Sequence, residues 1–284
     1  MTTPDLSTDI NRFDPPTAAQ LHRRLAPLRA WFSPVFTGLD ALDLSRPALF
    51  VGNHTLFSLD APLMLSAIYS RHGVLLRALG DHAHFIIPGW GKAVRNSGGV
   101  DGTPENCAEL MRQGQSILVF PGGAREVNRR KGEDYDLIWK QRTGFARLAV
   151  QHGYDIIPFA SVGPNETYKI LADANDVMGT ALWRWLDQRT GIARRVRDGD
   201  LLSPLVRGVG PTLLPRPQRF YFAFGERIAT GHLRSGQPDR DTLWAVRGQT
   251  EKAIAVMVAQ LKQRRLDDHA GWGRVRRWLA PLAP

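Results

Sequence analysis

Residues 49–64 place the pattern of a buried strand directly before the pattern of a helix start, so the chain has to turn between the two. An apolar run ends at Gly52, and the polar residues and proline that follow suit the first turn of a helix. His54 lies in this turn, where α/β proteins place working side chains. Asp60 lies at the helix start, where the helix dipole favours an ionised carboxylate. The stretch therefore predicts an α/β fold with polar chemistry at a strand end.

His54 and Asp60 are of the right types for a general base and its orienting partner. An ionised carboxylate close to an imidazole fixes the tautomer of the ring and raises its basicity. On one unbroken helix, two residues six positions apart would face directions about 120° apart. The pairing therefore requires the predicted turn. A structural histidine at a strand end, with Asp60 only capping the helix, fits the same pattern.

Further strand and helix patterns alternate along the chain. Strands are predicted at 74–79, 116–120, 155–160 and 220–224, and helices at 21–35, 103–114, 143–151 and 242–264. This alternation predicts an α/β fold with a mostly parallel sheet, covered by helices on both faces. We expect an N-terminal arm and amphipathic helix at 1–45, an α/β domain at 46–235, and a C-terminal helix with a basic tail at 236–284.

The surface is strongly basic, with a formal net charge of +10 and a pI of about 10.3. Such a charge favours an anionic partner: nucleic acid, anionic lipid or a phosphorylated substrate. Cys107 is the single cysteine, which excludes an internal disulfide and a thiolate metal cluster and suits a reducing compartment. The N-terminus is unlike a signal peptide, and no run of about 18 apolar residues predicts a membrane-spanning helix.

A second motif follows the strand predicted at 116–120. Gly122 and Gly123 come directly after its end, where glycines let the backbone approach a ligand or adopt positive φ. Arg125 offers a planar fork to a phosphate or a carboxylate. Ordinary turns carry the same residues, so this motif is weak evidence by itself.

Taken together, Asn53-His54 with Asp60, the block 120–126 and the block 130–133 resemble the glycerolipid acyltransferase superfamily. The similarity extends over about residues 48–231 and is strongest to the branch containing plant phytyl ester synthases and type-2 diacylglycerol acyltransferases. The resemblance implies that His54 is the general base on the acceptor hydroxyl and that Asp60 orients it. It also implies a set of substrate-binding residues: Asn53, Gly122, Gly123, Arg125 and Glu126.

Two departures from the superfamily pattern bear on the acceptor. Five residues separate His54 from Asp60, where four are usual, and Gly122-Gly123 stands where enzymes acylating lysophosphatidate typically have glutamate and glycine. Both departures favour the branch that esterifies neutral acceptors, whereas Arg125 favours a phosphorylated one. The identity of the acceptor stays open.

The expected function is that of a membrane-associated O-acyltransferase that takes a fatty acyl group from acyl-CoA or acyl carrier protein. The acceptor would be a hydroxyl of a glycerolipid (lysophospholipid or diacylglycerol) or of a long-chain alcohol. This chemistry needs a base, an oxyanion donor and orientation of both lipids, with no metal or other cofactor. The expected location is cytoplasmic, peripheral on the inner face of the membrane, with an anionic lipid surface as partner and no nucleic acid. Segments 21–35, 183–197 and 272–279 are the candidates for lipid contact, because tryptophan and arginine suit the headgroup region.

Other classes explain less of the sequence. A lipid esterase or thioesterase of the α/β class usually carries Gly-x-Ser-x-Gly at a strand-to-helix turn, and the sequence has none. Nucleotide-binding enzymes carry a phosphate loop or Gly-x-Gly-x-x-Gly after a strand, which is also missing. A basic, non-enzymatic protein that binds membranes or nucleic acid would explain the charge but leave His54 and Asp60 without a role.

Overall fold

The sheet at the centre of the fold has seven strands, in the order β1-β9-β6-β2-β5-β3-β4. The computed structural model describes residues 10, 13–86 and 88–282, with the side chains of residues 83 and 90 excepted. The strands are β1 (Val35–Thr37), β2 (Leu49–Gly52), β3 (Arg77–Gly80), β4 (Val100–Asp101), β5 (Ile117–Val119), β6 (Ile156–Val162), β7 (Lys169–Ala172), β8 (Leu205–Arg207) and β9 (Tyr221–Phe224). Strands β7 and β8 form a separate antiparallel pair.

Helices surround this sheet. They are α1 (Ala18–Arg24), α2 (Ala26–Phe32), α3 (Ala61–His72), α4 (Ala83–Ile86), α5 (Trp90–Asn96), α6 (Pro104–Arg112), α7 (Ala124–Val127), α8 (Gly144–His152), α9 (Ala174–Met178), α10 (Ala181–Thr190), α11 (Ile192–Arg195), α12 (Arg240–His269) and α13 (Arg274–Leu279). None of the helices in the described part of the chain combines the length and the apolar character needed to cross a bilayer.

The sheet is mostly parallel, as the sequence predicts. Strands β6, β2, β5, β3 and β4 run in one direction, and β9 pairs antiparallel with β6 and parallel with β1. Strand β2 lies near the middle, and all four of its residues are buried. Leu49 and Val51 belong to one apolar cluster and Phe50 to the other, because successive side chains of a strand point to opposite faces. Both faces of the sheet are therefore covered, which requires the continuous apolar run seen in β2.

The turn after β2 forms as the sequence predicts, and α3 begins directly after it. Asp60 is the residue before the first helical position, and Pro62 is the second residue of α3. Phe57 and Ser58 have φ values of 55° and 56°, so the chain reverses sharply between the strand and the helix. The strand-to-helix turn holds His54 at the carboxyl edge of the sheet.

The amphipathic helix predicted at 21–35 is two helices and the start of a strand. Pro27 is the second residue of α2, where its missing N–H is tolerated, and Leu25 separates α2 from α1. Ser33 adopts a left-handed conformation with φ 41°, and Val35 begins β1. The expected N-terminal arm lies mostly among residues outside the described part.

Both terminal segments help to complete the sheet and its core. Strand β1 pairs with β9, and α12 packs along the sheet through buried residues such as Ile254 and Leu261. Trp272 is also in this core, with its indole N–H 3.3 Å from the hydroxyl of Tyr221. The segments before residue 46 and after residue 235 thus pack as parts of one fold with the central α/β region.

Residues 163–219, which connect β6 to β9, lie outside the main sheet. It contains α9, α10, α11 and the β7–β8 pair. Neither α10 nor α11 has a buried residue. Helices α10 and α11 therefore present their side chains to solvent rather than to the core.

Candidate active site

The carboxyl ends of β2 and β5 form the position that the fold offers to a ligand. The two strands are neighbours, and the chain continues from β2 toward β3 but from β5 toward β6, in opposite directions across the sheet. A crevice opens where connections diverge in this way. His54 follows β2 and Phe120 follows β5, and their rings stack with centroids 4.0 Å apart. The structure thus brings the two sequence motifs together.

The backbone of His54 is held from both sides by residues of the second motif. Its N–H donates to Oε2 of Glu126 at 2.9 Å, and its carbonyl accepts from Nη2 of Arg129 at 2.9 Å. Glu126 is fully buried and Arg129 is 2% exposed, so water does not compete for either contact. We refer to these two contacts as the His54 clamp.

The carboxylate of Glu126 joins His54 to a second loop. Its other oxygen accepts from the N–H of Ile138 at 2.7 Å. Burial raises the pKa of Glu126 to about 7, although the charge of Arg129 and the two N–H donors act against that rise. A Cβ atom at Gly122 would collide with the Glu126 carboxyl group, so the first glycine of the motif makes room for this side chain.

The imidazole of His54 is neutral at physiological pH. Burial lowers its pKa to about 3, and the positive charge of Arg129 contributes in the same direction. The Nδ1 atom is buried and has no hydrogen-bond partner among the described residues. A neutral ring is able to accept a proton, although the lowered pKa makes this imidazole a weaker base than a free one.

Asp60 makes a different contact from the one predicted. Its Oδ1 accepts a hydrogen bond from the hydroxyl of Thr55 at 2.5 Å, and no hydrogen bond joins it to His54 in the described part of the chain. Burial raises the pKa of Asp60, against the ionising effect expected from the helix dipole, because the carboxyl group is only 2% exposed. The catalytic roles of His54 and Asp60 stay predictions.

Asn53 is turned into the sheet. Its side-chain amide donates to the carbonyl of Ser161 at 2.9 Å and accepts from the N–H of Ser161 at 2.9 Å. Asn53 has no exposed surface, and the backbone of β6 occupies both ends of the amide. The predicted substrate contact of Asn53 is therefore not available in this structure, where the residue ties β2 to β6 beneath the site.

Gly123 and its surroundings have a partly internal role. Gly123 has a φ of 52° and its N–H donates to the carbonyl of Phe120 at 3.0 Å. Arg142 donates to the carbonyls of Pro121 and Gly122 at 2.8 and 2.7 Å. The N–H of Gly122 has no acceptor among the described residues. Of the two glycine amides, only the one at Gly123 is thus bound within the described part of the chain, and Gly122 itself is buried.

Arg125 is bound by acidic side chains of the chain itself. Its guanidinium forms a two-pronged ion pair with Glu133, and its Nε lies 3.6 Å from Oδ1 of Asp200. The side chain of Arg125 is 8% exposed. The expected contact with a substrate phosphate is therefore not open in this structure, because the fork of Arg125 is engaged by Glu133.

Two cavities lie near His54, one lined by its stacking partner Phe120 and the other by Leu56 of the turn after β2. One of about 330 Å³ is mostly apolar and is lined by residues such as Val119, Phe120 and Phe145. The other, of about 220 Å³, is polar and lies between Leu56 and Arg129. Phe120 lines the apolar cavity and also stacks on the imidazole. An apolar chain in this cavity would therefore lie one aromatic ring away from His54.

The sequence interpretation missed Arg129, Thr55 and Ile138. Arg129 follows α7, three residues after Glu126, and the closeness of this cation to the acidic residue in the sequence was the available signal. Nothing local indicates that Arg129 reaches His54, 75 positions earlier in the chain.

The chain is similar to several known proteins. The family model described as Acyltransferase matches residues 33–162. Phytyl ester synthase 2, chloroplastic, of Arabidopsis thaliana is 30% identical over 245 residues, which cover 82% of this chain and 35% of that protein. The human "DGAT1/2-independent enzyme synthesizing storage lipids" is 29% identical over 159 residues, which cover 56% of this chain and 47% of that protein. The chain thus spans only about a third of the length of the plant relative.

A solved structure shares the fold. The 1-acyl-sn-glycerophosphate (LPA) acyltransferase PlsC from Thermotoga maritima matches with a TM-score of 0.55 and 15% identity, over 86% of this chain and 79% of that one. At this level of identity the likeness concerns the fold alone.

Proposed function

Since the chain carries a domain of the acyltransferase family over residues 33–162, we propose that it moves a fatty acyl group from a thioester to a lipid hydroxyl with His54 as the general base. The donor would be acyl-CoA or acyl carrier protein, and the acceptor a glycerolipid or a long-chain alcohol. The observation that carries the proposal is the His54 clamp, which fixes a neutral imidazole beside an apolar cavity at the carboxyl edge of the sheet.

The proposed reaction needs one proton to move. His54 takes the proton of the acceptor hydroxyl while the oxygen attacks the thioester carbonyl carbon, so a C–O bond forms. The tetrahedral intermediate then collapses, the C–S bond breaks, and the leaving thiolate takes the proton back from His54. Asp60 lies close to this turn in the sequence, and we propose that it acts on His54 through Thr55 and the turn.

The oxyanion of the intermediate requires a donor that is already in place. We propose the N–H of Gly122, because the N–H of Gly123 is bound to Phe120 whereas that of Gly122 has no acceptor in the described part of the chain.

The function is tested by transfer of a labelled acyl group from CoA and from carrier protein to a panel of acceptors. The panel contains lysophospholipids, diacylglycerol and long-chain alcohols, with water as the competing acceptor. Formation of a labelled ester by the wild-type chain supports the proposal. Release of free fatty acid in place of any ester would instead assign the chain to the esterases or thioesterases.

We further propose that the acceptor hydroxyl belongs to a neutral lipid. Arg125 is the cation that the sequence motif assigns to the acceptor side, and Glu133 and Asp200 already balance its charge. A phosphate would have to displace a carboxylate from a nearly buried fork, at the cost of leaving that carboxylate without its partner. A neutral acceptor binds without displacing either carboxylate from Arg125.

Glu133→Gln is expected to change the preference among acceptors. Removing the carboxylate frees the fork of Arg125, so the ratio of transfer to lysophosphatidate over transfer to a long-chain alcohol should rise about tenfold, since a hydrogen bond to a charged group is worth roughly 1.5–3 kcal/mol. The measurement is the ratio of the two kcat/KM values. Glu251→Gln, which breaks the ion pair with Arg247 on α12, is the matched control. An unchanged ratio in Glu133→Gln would contradict the proposal.

We also propose that the chain works at the surface of a membrane, on its cytoplasmic face. Two exposed apolar side chains stand beside arginines: Trp185 on α10 is 51% exposed and Trp278 on α13 is 79% exposed. The guanidinium of Arg189 lies 4.8 Å from the ring centroid of Trp185. Such a pairing suits the headgroup region, where each arginine adds roughly 1 kcal/mol of attraction to anionic lipid. Trp272, in contrast, is buried and is removed from the candidates.

Sedimentation with vesicles tests this surface role. Binding of the wild-type chain should grow with the fraction of anionic lipid and weaken with salt. Trp185→Ala and Trp278→Ala should each weaken binding several-fold. Leu266→Ala provides a control, because Leu266 is equally exposed but lies on α12. Equal binding by all three variants would argue against the two tryptophans as the contact.

A further inference from the structure

A second polar cavity lies at the edge of the sheet formed by β3 and β4. Its volume is about 590 Å³, within the range of small-molecule sites. Its lining includes four cationic side chains and two carboxylates. The cations are Arg24, Arg77, Lys92 and Arg95, and the carboxylates are Asp14 and Asp101. The carboxylate of Asp101 lies 2.6 Å from Nδ1 of His82 and is therefore already engaged. Among the described residues, the lining of the cavity therefore holds more cationic than anionic side chains.

Arg77 is the unusual member of this group. It begins β3 and is 7% exposed, so its guanidinium is largely removed from water. Its Nε donates to the carbonyl of Gly98 at 3.0 Å, its Nη2 to the carbonyl of Ile10 at 3.4 Å, and the ring of Phe13 lies 4.8 Å away. Within residues 10, 13–86 and 88–282, no carboxylate forms an ion pair with it.

Buried arginines are normally paired, because the desolvation of an uncompensated charge is costly. The contacts of Arg77 are to neutral carbonyls and an aromatic ring, which hold the guanidinium in place but do not balance its charge. A phosphate in the cavity would supply that charge, and the planar fork of an arginine suits phosphate oxygens.

The cavity lies within reach of the proposed catalytic residue. Strand β3 is two strands away from β2, roughly 10 Å across the sheet at the usual strand spacing, and Arg77 lies level with Leu49, five residues before His54. Phe85 of α4 lines the cavity, and its neighbour His84 is close enough to His54 to influence the imidazole by its charge. The turn at 101–106 borders this cavity on one side and the apolar cavity beside Phe120 on the other.

We propose that this cavity binds the phosphates of an acyl-CoA donor, with the thioester extended toward His54. The inference rests on the proposed acyl transfer and decides between its two donors. CoA carries three phosphate groups, whereas the prosthetic arm of a carrier protein carries a single phosphodiester, so a cavity lined by four cationic side chains suits CoA.

Calorimetric titration of the full chain with CoA tests the site directly. Lys92→Glu should raise the Kd for CoA about tenfold or more, because one charged contact is removed and a repulsive one is added. Lys252→Glu makes the same change of charge on exposed α12 and should leave the Kd within about twofold. Arg77→Gln should have a larger effect than Lys92→Glu. Since Arg77 is buried and its variant could fail to fold, the test depends on the exposed Lys92.

Three further ligands test whether the phosphate that binds in the cavity belongs to CoA, to a lipid headgroup or to a free phosphate. Inorganic pyrophosphate should compete with CoA but bind more weakly, and CoA lacking its 3′-phosphate should also bind more weakly. Lysophosphatidate should not displace CoA. Displacement by lysophosphatidate, or pyrophosphate binding as tight as that of CoA, would overturn the assignment to the donor. Equal Kd values for Lys92→Glu and Lys252→Glu would overturn the site itself.

The failure of this inference is separable from the failure of the proposed function. Binding of CoA that depends on Lys92, without transfer to any acceptor, supports the site and contradicts the acyl transfer. Transfer from acyl-CoA that Lys92→Glu leaves unchanged at limiting donor supports the function and contradicts the site.

Discussion

His54→Ala is expected to lower acyl transfer by about 10²–10⁴-fold while the chain stays folded, since this is the usual effect of losing a general base. The loss should appear in kcat, because the imidazole acts on the hydroxyl in the transition state and adds little to binding of the ground state. The backbone contacts of residue 54 to Glu126 and Arg129 do not involve its side chain, so the clamp survives the substitution. The measurement is steady-state transfer by the variant, with its unfolding temperature as the check on folding.

The pH dependence gives this prediction a second readout. The pKa of His54 is lowered from 6.5 to about 3, so the ring stays neutral and transfer should not fall as pH decreases from 8 to 5 through the ordinary histidine range. A lowered pKa also means that the unfolded chain binds the proton more readily. The stability due to His54 is present above pH 6.5 and is lost as pH falls from 6.5 toward 3. The variant should therefore be less sensitive to acid than the wild type.

His232→Ala is the matched control, since His232 is exposed and distant from the turn. It should keep wild-type transfer and the wild-type response to acid. Turnover at the wild-type rate by folded His54→Ala would contradict the assignment of the general base.

The local parts of this fold could be predicted from the sequence. The strand, turn and helix of residues 49–64 follow from neighbouring residues alone, as does the start of α6, where the side chain of Thr103 accepts from the N–H of Asn106. These features depend on contacts between residues about four positions apart or fewer. Patterns of apolar and capping residues in the sequence therefore predict them. The mostly parallel sheet followed from the alternation of such patterns, and the resemblance to the acyltransferases is confirmed by the family and fold matches.

The partners of the charged residues could not be predicted in the same way. The sequence shows that Arg125 has a guanidinium group that could bind a phosphate. It does not show that Glu133 forms an ion pair with this group, and that ion pair decides whether a phosphate can reach Arg125. Likewise, Glu126 contacts His54 across 72 positions of sequence, which only the packing of β5 beside β2 makes possible. The residues of the predicted site thus lie near one another, while the contacts of each depend on tertiary packing, and their roles stay predictions.

Substitution of Glu126 is the second change for which we expect a large effect. Glu126→Ala leaves the N–H groups of His54 and Ile138 buried without acceptors and creates a cavity, which together should lower the free energy of unfolding by about 3–5 kcal/mol. Glu126→Gln keeps the volume but has one acceptor oxygen in place of two, so one bond is lost and we expect a cost of about 1–3 kcal/mol. Unfolding by denaturant measures both values.

The role of Glu126 in positioning His54 predicts an effect on catalysis beyond that on stability. At temperatures where Glu126→Gln is fully folded, kcat should fall at least tenfold, because small misplacements of a catalytic group are costly. Gly122→Ala should reproduce this fall, since its Cβ collides with the Glu126 carboxyl group, whereas Gly248→Ala should not, since space is open around Gly248. A folded Glu126→Gln chain with wild-type kcat would show that the clamp serves stability alone.

The pH dependence of stability isolates the buried carboxyl group. The pKa of Glu126 is raised from 4.5 to about 7, so between these pH values the folded chain binds the proton more readily than the unfolded chain. The contribution of Glu126 to stability is therefore greatest below pH 4.5 and declines as pH rises to about 7, beyond which it is constant. Glutamine does not titrate, so the wild type should lose stability relative to Glu126→Gln as pH rises from 4.5 to 7. A difference between the two chains that stays constant over this range would mean that the carboxyl group is ionised throughout, with Arg129 and the two backbone N–H groups outweighing its burial.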